Sequence, residues 1–318
     1  MWISPYKYVL SLGHLCSDIN QSILSAVLPF LIATYHYDYT TAAMLVTVSN
    51  VFGAFVQPFI GMLSDKKNKL LYMTLGVLLA SGGMAVTGFI SNFFGLWIVV
   101  IMSGIGVAMF HPQAAKLFNS VSSKNAKGKG MSIFSFGGKV GFTLGPVYTA
   151  FLMNLFGMKG TILFLIPGIV FGIVCSFFNK DFENLDVLEV EKKEKVKSEQ
   201  KDDWSGFIKL CCVVFSRSIL SNGISTFLAF YFIQQFSKSN SFASMLLSVF
   251  YGIGSITLLG GGIADCFGHR KMVRLSFCIC LPAIFIFTNT SHFVIALIML
   301  IFMTCGESLS YSPMVVLG

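Results

Sequence analysis

The sequence predicts an all-α membrane protein, and three observations carry that prediction. Of 318 residues, 55% are apolar and only 11% are charged, against roughly 25% charged in soluble domains. Ten apolar runs approach the length of about 20 residues that a bilayer-crossing helix needs. They are centred near Leu24, Phe52, Leu79, Val100, Gly141, Gly168, Leu220, Phe250, Cys280 and Met303. The basic residues gather after the even-numbered runs instead of spreading along the chain.

Span one, about Val9–Ile32, is the least apolar. His14, Cys16, Asp18, Asn20, Gln21 and Ser22 crowd into it, so it is too polar for the apolar core of a leader peptide, and no cleavable signal is expected. Span two, about Thr41–Leu63, contains Gln57-Pro58. It runs into the stretch Gly61-Met-Leu-Ser-Asp65-Lys-Lys-Asn68-Lys69. Span three is Gly-rich. Span four ends in Phe110-His111-Pro112-Gln113. Pro112 is expected to end or kink that helix; His111 can titrate near neutral pH but reads as a cap or hinge ahead of a proton carrier.

Span five carries Gly137-Gly138-Lys139 and then Gly141 and Gly145-Pro146. Gly137, Gly141 and Gly145 recur every four residues and share one helix face, which suits close packing through small residues. Span six ends near Phe178. A hydrophilic Lys/Glu-rich segment, residues 181–203, reads as a cytoplasmic linker. It divides a six-helix bundle, 1–180, from a second bundle of about four spans, 204–318. Compared with six spans in the first half, the second is expected to be truncated.

The second half repeats the charged stretch. Gly261-Gly-Ile-Ala-Asp265-Cys266-Phe-Gly-His269-Arg270-Lys271 again places Gly four residues before Asp and a basic cluster after it. The offset is 200 positions (265 − 65 = 200). Recurrence in register marks a duplicated architecture. The Asp of each copy, at a helix end, can pair with a cation of a neighbouring span and hold one conformation closed.

The net charge of +8 is a matter of topology. Lys66, Lys67 and Lys69 follow span two. Lys116, Lys124, Lys127 and Lys129 follow span four, and His269, Arg270, Lys271 and Arg274 follow span eight. Residues Ala33–Thr40 and Ile90–Phe93 have no Lys or Arg; Lys159 and Lys238 break the pattern further on. The positive-inside rule then places the N-terminus and the even loops in the cytoplasm of a multi-pass inner or plasma membrane protein. Lipid is the expected surroundings and nucleic acid is not a partner. The eight Cys form no zinc or Cys-x-x-Cys pattern, so neither metal nor cofactor is expected. No phosphate-cradling loop, Ser/His/Asp set or His-Glu-x-x-His appears, so the chain does not read as an enzyme or an ATP-driven pump.

Ionisable residues inside spans are costly and mark candidate sites. Burial favours the protonated form of a carboxyl group, so Asp18, with His14, is the candidate proton-coupling site. The alternative is that Asp18 simply neutralises Lys139. Lys139 and Arg217 would suit an anionic small molecule, with Asn20, Gln21 and Gln113 as further substrate-binding candidates. Alternatively Arg217 snorkels from near a span end. Glu307 is a further intramembrane carboxylate that could pair with it.

The paired stretches resemble the signature loop of the major facilitator superfamily, departing from it at Asn68 and Cys266. The resemblance implies two six-helix halves, and a gating role for Gly61, Asp65, Lys69, Gly261, Asp265 and Arg270. Gly137, Gly141, Gly145 and Pro146 resemble the antiporter motif of drug exporters, with Val147-Tyr148 departing from its usual tail. Finer strings resemble the fosmidomycin-resistance exporters: Gly13-His-Leu-Cys-Ser-Asp18-Ile-Asn20-Gln21, Gln57-Pro58-x-x-Gly61, Phe110-His111-Pro112 and Gly137-Gly138-x-x-Gly141-x-x-x-Gly145-Pro146. That resemblance implies a secondary active transporter, exporting a small drug-like or anionic compound in exchange for protons. In that family an acidic residue usually stands at Gln113 and a neutral one at Lys139. The other reading is a truncated facilitator remnant that does not transport, or a membrane receptor.

Overall fold

In lipid every backbone polar group must be satisfied within its own segment, which leaves helices for apolar runs of this kind. Among the described residues, 5–63, 69–121, 127–178, 204–256 and 268–309, the computed structural model holds ten α-helices and no strand. Each of the ten apolar centres lies within one of them. The helices fall into two compact units, Met1–Lys197 and Ser198–Gly318.

The first unit contains α1 (Pro5–Tyr35), α2 (Tyr39–Leu63), α3 (Lys69–Ala85), α4 (Phe93–Val121), α5 (Lys127–Phe156) and α6 (166–178). A 3-10 turn, Thr87–Phe89, precedes α4, and a 3-10 segment, Gly157–Leu165, joins α5 to α6. Gly157 starts that segment at φ 57°, a left-handed conformation that glycine takes at little cost. Among the described residues, seven helical segments are long and apolar enough to cross a membrane, and one of them, Ile133–Phe178, runs 46 residues through α5 and α6.

Of the two expectations for Pro112, an end or a kink, the end is corrected: helix α4 continues to Val121. Pro29, Pro58 and Pro146 likewise lie inside helices. Neighbouring helices can re-satisfy the backbone groups a proline frees.

Helix α1 is the hub of the unit. It packs most extensively on α5 and also meets α4, α3 and α2. Its Leu10, Ile23, Leu28 and Leu31 are fully buried. Between two lipid-bathed helices, association depends on close van der Waals packing, because lipid tails are as apolar as Leu. The glycine face of α5 supplies that closeness. Gly137 lies over Ser11, Gly141 over the Leu15 carbonyl and Gly145 over Ser22, so the glycines climb α1 turn by turn.

The second unit contains α7 (Trp204–Phe236), α8 (Asn240–Ile256), α9 (His269–Asn289) and α10 (Phe293–Leu309). Tyr231, Phe232, Phe236, Phe287 and Phe293 form an aromatic cluster joining α7, α9 and α10. The Tyr231 hydroxyl donates to the Phe287 carbonyl at 2.6 Å. Lys238, one of the two basic residues that break the loop pattern, lies over the Phe293 ring, 4.2 Å from its centroid; this cation–π contact gives the charge a partner.

The duplication extends to the first turn of each unit. His36 after α1 and Ser237 after α7 both take positive φ, 57° and 51°, a conformation uncommon outside glycine. Two residues on, Asp38 caps α2, accepting from the Thr41 amide at 2.8 Å. Ser239 caps α8 in the same way, accepting from the Phe242 amide at 3.3 Å. Both offsets are 201 residues (237 − 36 and 239 − 38). Residues Asp65, Gly261 and Asp265 of the signature stretches, and the linker 181–203, lie outside the described residues.

Candidate proton and substrate site

The polar part of α1 folds helically because its neighbours supply partners at helical spacing. His14 and Asp18 are one turn apart on the same face, and α5 passes that face through Gly138. A Cβ on Gly138 would stand 2.5 Å from Asp18 Oδ2 and 2.6 Å from His14 Nε2. Glycine there leaves room for the carboxylate and the imidazole together.

Asp18 is 3% exposed. His14 Nε2 lies 3.3 Å from its Oδ2. His111 Nε2, from α4, lies 3.4 Å from its Oδ1. The two imidazoles meet edge to face, 5.3 Å between ring centroids. His14 Nδ1 is 2.9 Å from the Phe134 carbonyl. A carbonyl only accepts, so Nδ1 carries the proton and Nε2 is turned to the carboxylate. Ser11 Oγ donates to the adjacent Ile133 carbonyl at 2.9 Å, so two α1 side chains grip α5 beside the site.

Sequence reasoning brought Asp18 and His14 together and, although His111 is an ionisable residue in an apolar span, favoured a cap or hinge for it over a proton carrier. The structure places His111 against Asp18. No spacing rule connects it with α1, because the pairing is made by tertiary packing.

The substrate-binding candidates divide. Asn20 is fully buried and its amide donates to the Cys16 carbonyl at 2.8 Å and to Ser81 Oγ of α3 at 2.9 Å. It ties α1 to α3. Gln21 is exposed. Gln113 is fully buried and its Nε2 donates to the Ile60 carbonyl at 3.2 Å. One turn on, Lys116 Nζ donates to the Gly61 carbonyl at 3.1 Å. Carbonyls in the last turn of a helix lack intrahelical partners, so α4 caps the end of α2 from the side. Lys139 is half-buried on α5 and within electrostatic reach of His14.

Arg217 does not snorkel: its guanidinium forms a buried ion pair with Glu307 of α10. Among the gating candidates, Gly61 receives the Lys116 bond, Lys69 opens α3 and Arg270 is exposed in the first turn of α9. Pro146 is buried beside Gly145.

Comparison with known proteins agrees with this architecture. The family model described as Major Facilitator Superfamily matches residues 10–318. The fosmidomycin resistance protein of Escherichia coli (strain K12) is 23% identical over 276 residues, covering 83% of this chain and 66% of that protein. The uncharacterized MFS-type transporter YfnC of Bacillus subtilis (strain 168) is 24% identical over 278 residues, covering 85% of this chain and 68% of that protein. The chain thus spans about two thirds of the length of these curated relatives. Among solved structures, an inward-facing, occupied bacterial homolog of the human lysosomal transporter Spinster superposes with a TM-score of 0.78. It is 16% identical, with 98% of this chain and 73% of that one covered. With a family model that matches nearly the whole sequence and a transporter fold to go with it, the chain belongs to the Major Facilitator Superfamily and is a helical membrane protein of a transporter family.

Proposed function

We propose that the protein is a proton-coupled exporter of a small drug-like or anionic compound, with Asp18 as the carboxylate that takes up and releases the proton. The observation that carries this reading is the buried Asp18 carboxylate held between two imidazoles from different helices. A charge removed from water is costly unless it is paired. Neutralisation by a proton, or by a protonated histidine, therefore biases the α1–α4 contact. An element with two arrangements, switched by proton occupancy, is what coupled transport requires.

The similarity to a fosmidomycin resistance protein supports an anionic, drug-like substrate. Lys139, beside the cluster on α5, is the cation we assign to attracting it. Arg217 is committed to Glu307 and Asn20 to Ser81, so neither is assigned to the substrate. The N-terminus is assigned to the cytoplasm, and the plasma membrane is the assigned location, on the distribution of Lys and Arg.

The test is survival of a susceptible bacterium expressing the protein under graded fosmidomycin, with Asp18→Asn produced to the same membrane level. Protection by the wild type that the variant loses is the expected result. Equal protection by both overturns the assignment of Asp18, and no protection by either overturns the substrate.

A further inference from the structure

The His14–Asp18–His111 cluster has a second chemical capacity that proton coupling does not use. Its three donor atoms lie within 4.8 Å of one another. The two histidine-to-carboxylate distances are 3.3 and 3.4 Å. Ligands bound at about 2.0–2.1 Å in a tetrahedral shell stand about 3.3–3.4 Å apart. The two distances run to different oxygens of Asp18, Oδ2 for His14 and Oδ1 for His111, so the carboxylate would either chelate through both or turn to present one, with the imidazoles closing on the ion.

Three further features point the same way. Asp18 Oδ1 is buried without a hydrogen-bond partner. A buried acceptor left in that state is destabilising, and a cation would satisfy it. His14 donates its other ring nitrogen's proton to the Phe134 carbonyl, the outer-shell bond that commonly fixes the tautomer and orientation of a metal-binding histidine. The His111 side chain is not fully enclosed, being 28% exposed. Two imidazoles and one carboxylate, with a further coordination position open, suit first-row divalent ions of the Zn2+ class.

We propose that His14, Asp18 and His111 form a binding site for a divalent transition-metal ion of the Zn2+ class, which ties α1 to α4. The site uses the same three side chains as the export reading but does not depend on it, because binding needs neither gradient nor substrate.

The experiment titrates the purified protein, carrying a histidine-free tag, with Co2+ and follows the visible absorption of the bound ion. Zn2+ then displaces the Co2+. One tetrahedral-type Co2+ band per chain is expected for the wild type, together with a Zn2+-dependent rise in unfolding temperature. His14→Gln and His111→Gln, which retain side-chain size, should each lose the band and the rise. His292→Ala, an exposed histidine of the second unit, should retain both. A wild type with no band and no Zn2+ stabilisation overturns the proposal. So does a band that survives in both glutamine variants, which would place the ion elsewhere, for example at the exposed Cys211–Cys212 pair. Loss of drug protection by Asp18→Asn with no Co2+ binding to the wild type would leave export standing and remove the metal site.

Discussion

Arg217 of α7 and Glu307 of α10 form a buried ion pair within the second unit, with side chains 14% and 7% exposed. In the duplicated order, α7 corresponds to α1 and α10 to α4. The Asp18–His111 contact joins α1 to α4 in the first unit. Among the described residues, each unit therefore carries an electrostatic tie between its first and fourth helices. The chemistry differs: a fixed Arg–Glu pair in one, and a carboxylate between two titratable imidazoles in the other.

That difference makes a prediction about stability. Removing one partner of a buried pair leaves an uncompensated charge, at a cost of about 3–5 kcal/mol, whereas replacing both with apolar residues is often near neutral. Glu307→Gln should lower the unfolding temperature in detergent clearly, and the double change Arg217→Met with Glu307→Met should recover most of the loss. A single variant as stable as the wild type would mean the pair is not buried in the folded protein.

Composition and period made the helices legible in the sequence, since each apolar centre lies in a helix. The glycine face of α5 was legible too, because spacing within one helix fixes which residues share a face. Contact between helices distant in the chain was legible only in part: Glu307 was a candidate partner for Arg217, but other pairings were not foreseen. Asn20 looked like a polar ligand for substrate until Ser81 of α3 was found against it. Pro112 looked like a helix end or kink, and α4 runs through it without ending. Local rules describe a helix in isolation, and the partners that re-satisfy its exposed groups come from packing.

Asn20 separates structural from substrate roles. Its amide bridges α1 and α3 through Ser81, so Asn20→Ala should destabilise the protein by about 1–3 kcal/mol by leaving buried polar groups unpaired. Ser81→Ala should cost a similar amount, and the double variant less than the sum of the two. Substrate affinity of the surviving folded fraction should be unchanged in both. A large drop in substrate affinity in Asn20→Ala alone, at normal stability, would restore Asn20 to the binding site.

The helix seam tests the packing argument. A methyl group on Gly141 would run into the Leu15 carbonyl of α1, whereas one on Gly172 of α6 would first meet Thr74 at 3.8 Å, an ordinary contact. Overpacking costs about 1–3 kcal/mol, and here the obstructing atom is backbone, which cannot rotate away. Gly141→Ala should therefore reduce the yield of monodisperse folded protein and its unfolding temperature, and Gly172→Ala should change neither. Equal behaviour of the two variants would show that α1 and α5 do not approach through this face.

Asp38 gives a pH dependence that lies outside the spans. Hydrogen bonds from the Thr41 side chain and amide hold its carboxyl below the usual carboxylate range, because they favour the charged form. A depressed value means the cap's contribution is complete above the ordinary carboxylate range and is lost as pH falls through the lowered value. Hydrogen exchange at the first turn of α2, compared with Asp38→Asn at each pH, reads this directly. Asparagine still caps a helix but does not titrate in this range. The wild type should match the variant at neutral pH and exchange faster than it only on strong acidification, below about pH 4. A divergence that begins well above that range would mean that Asp38 is not held in its charged form by the cap.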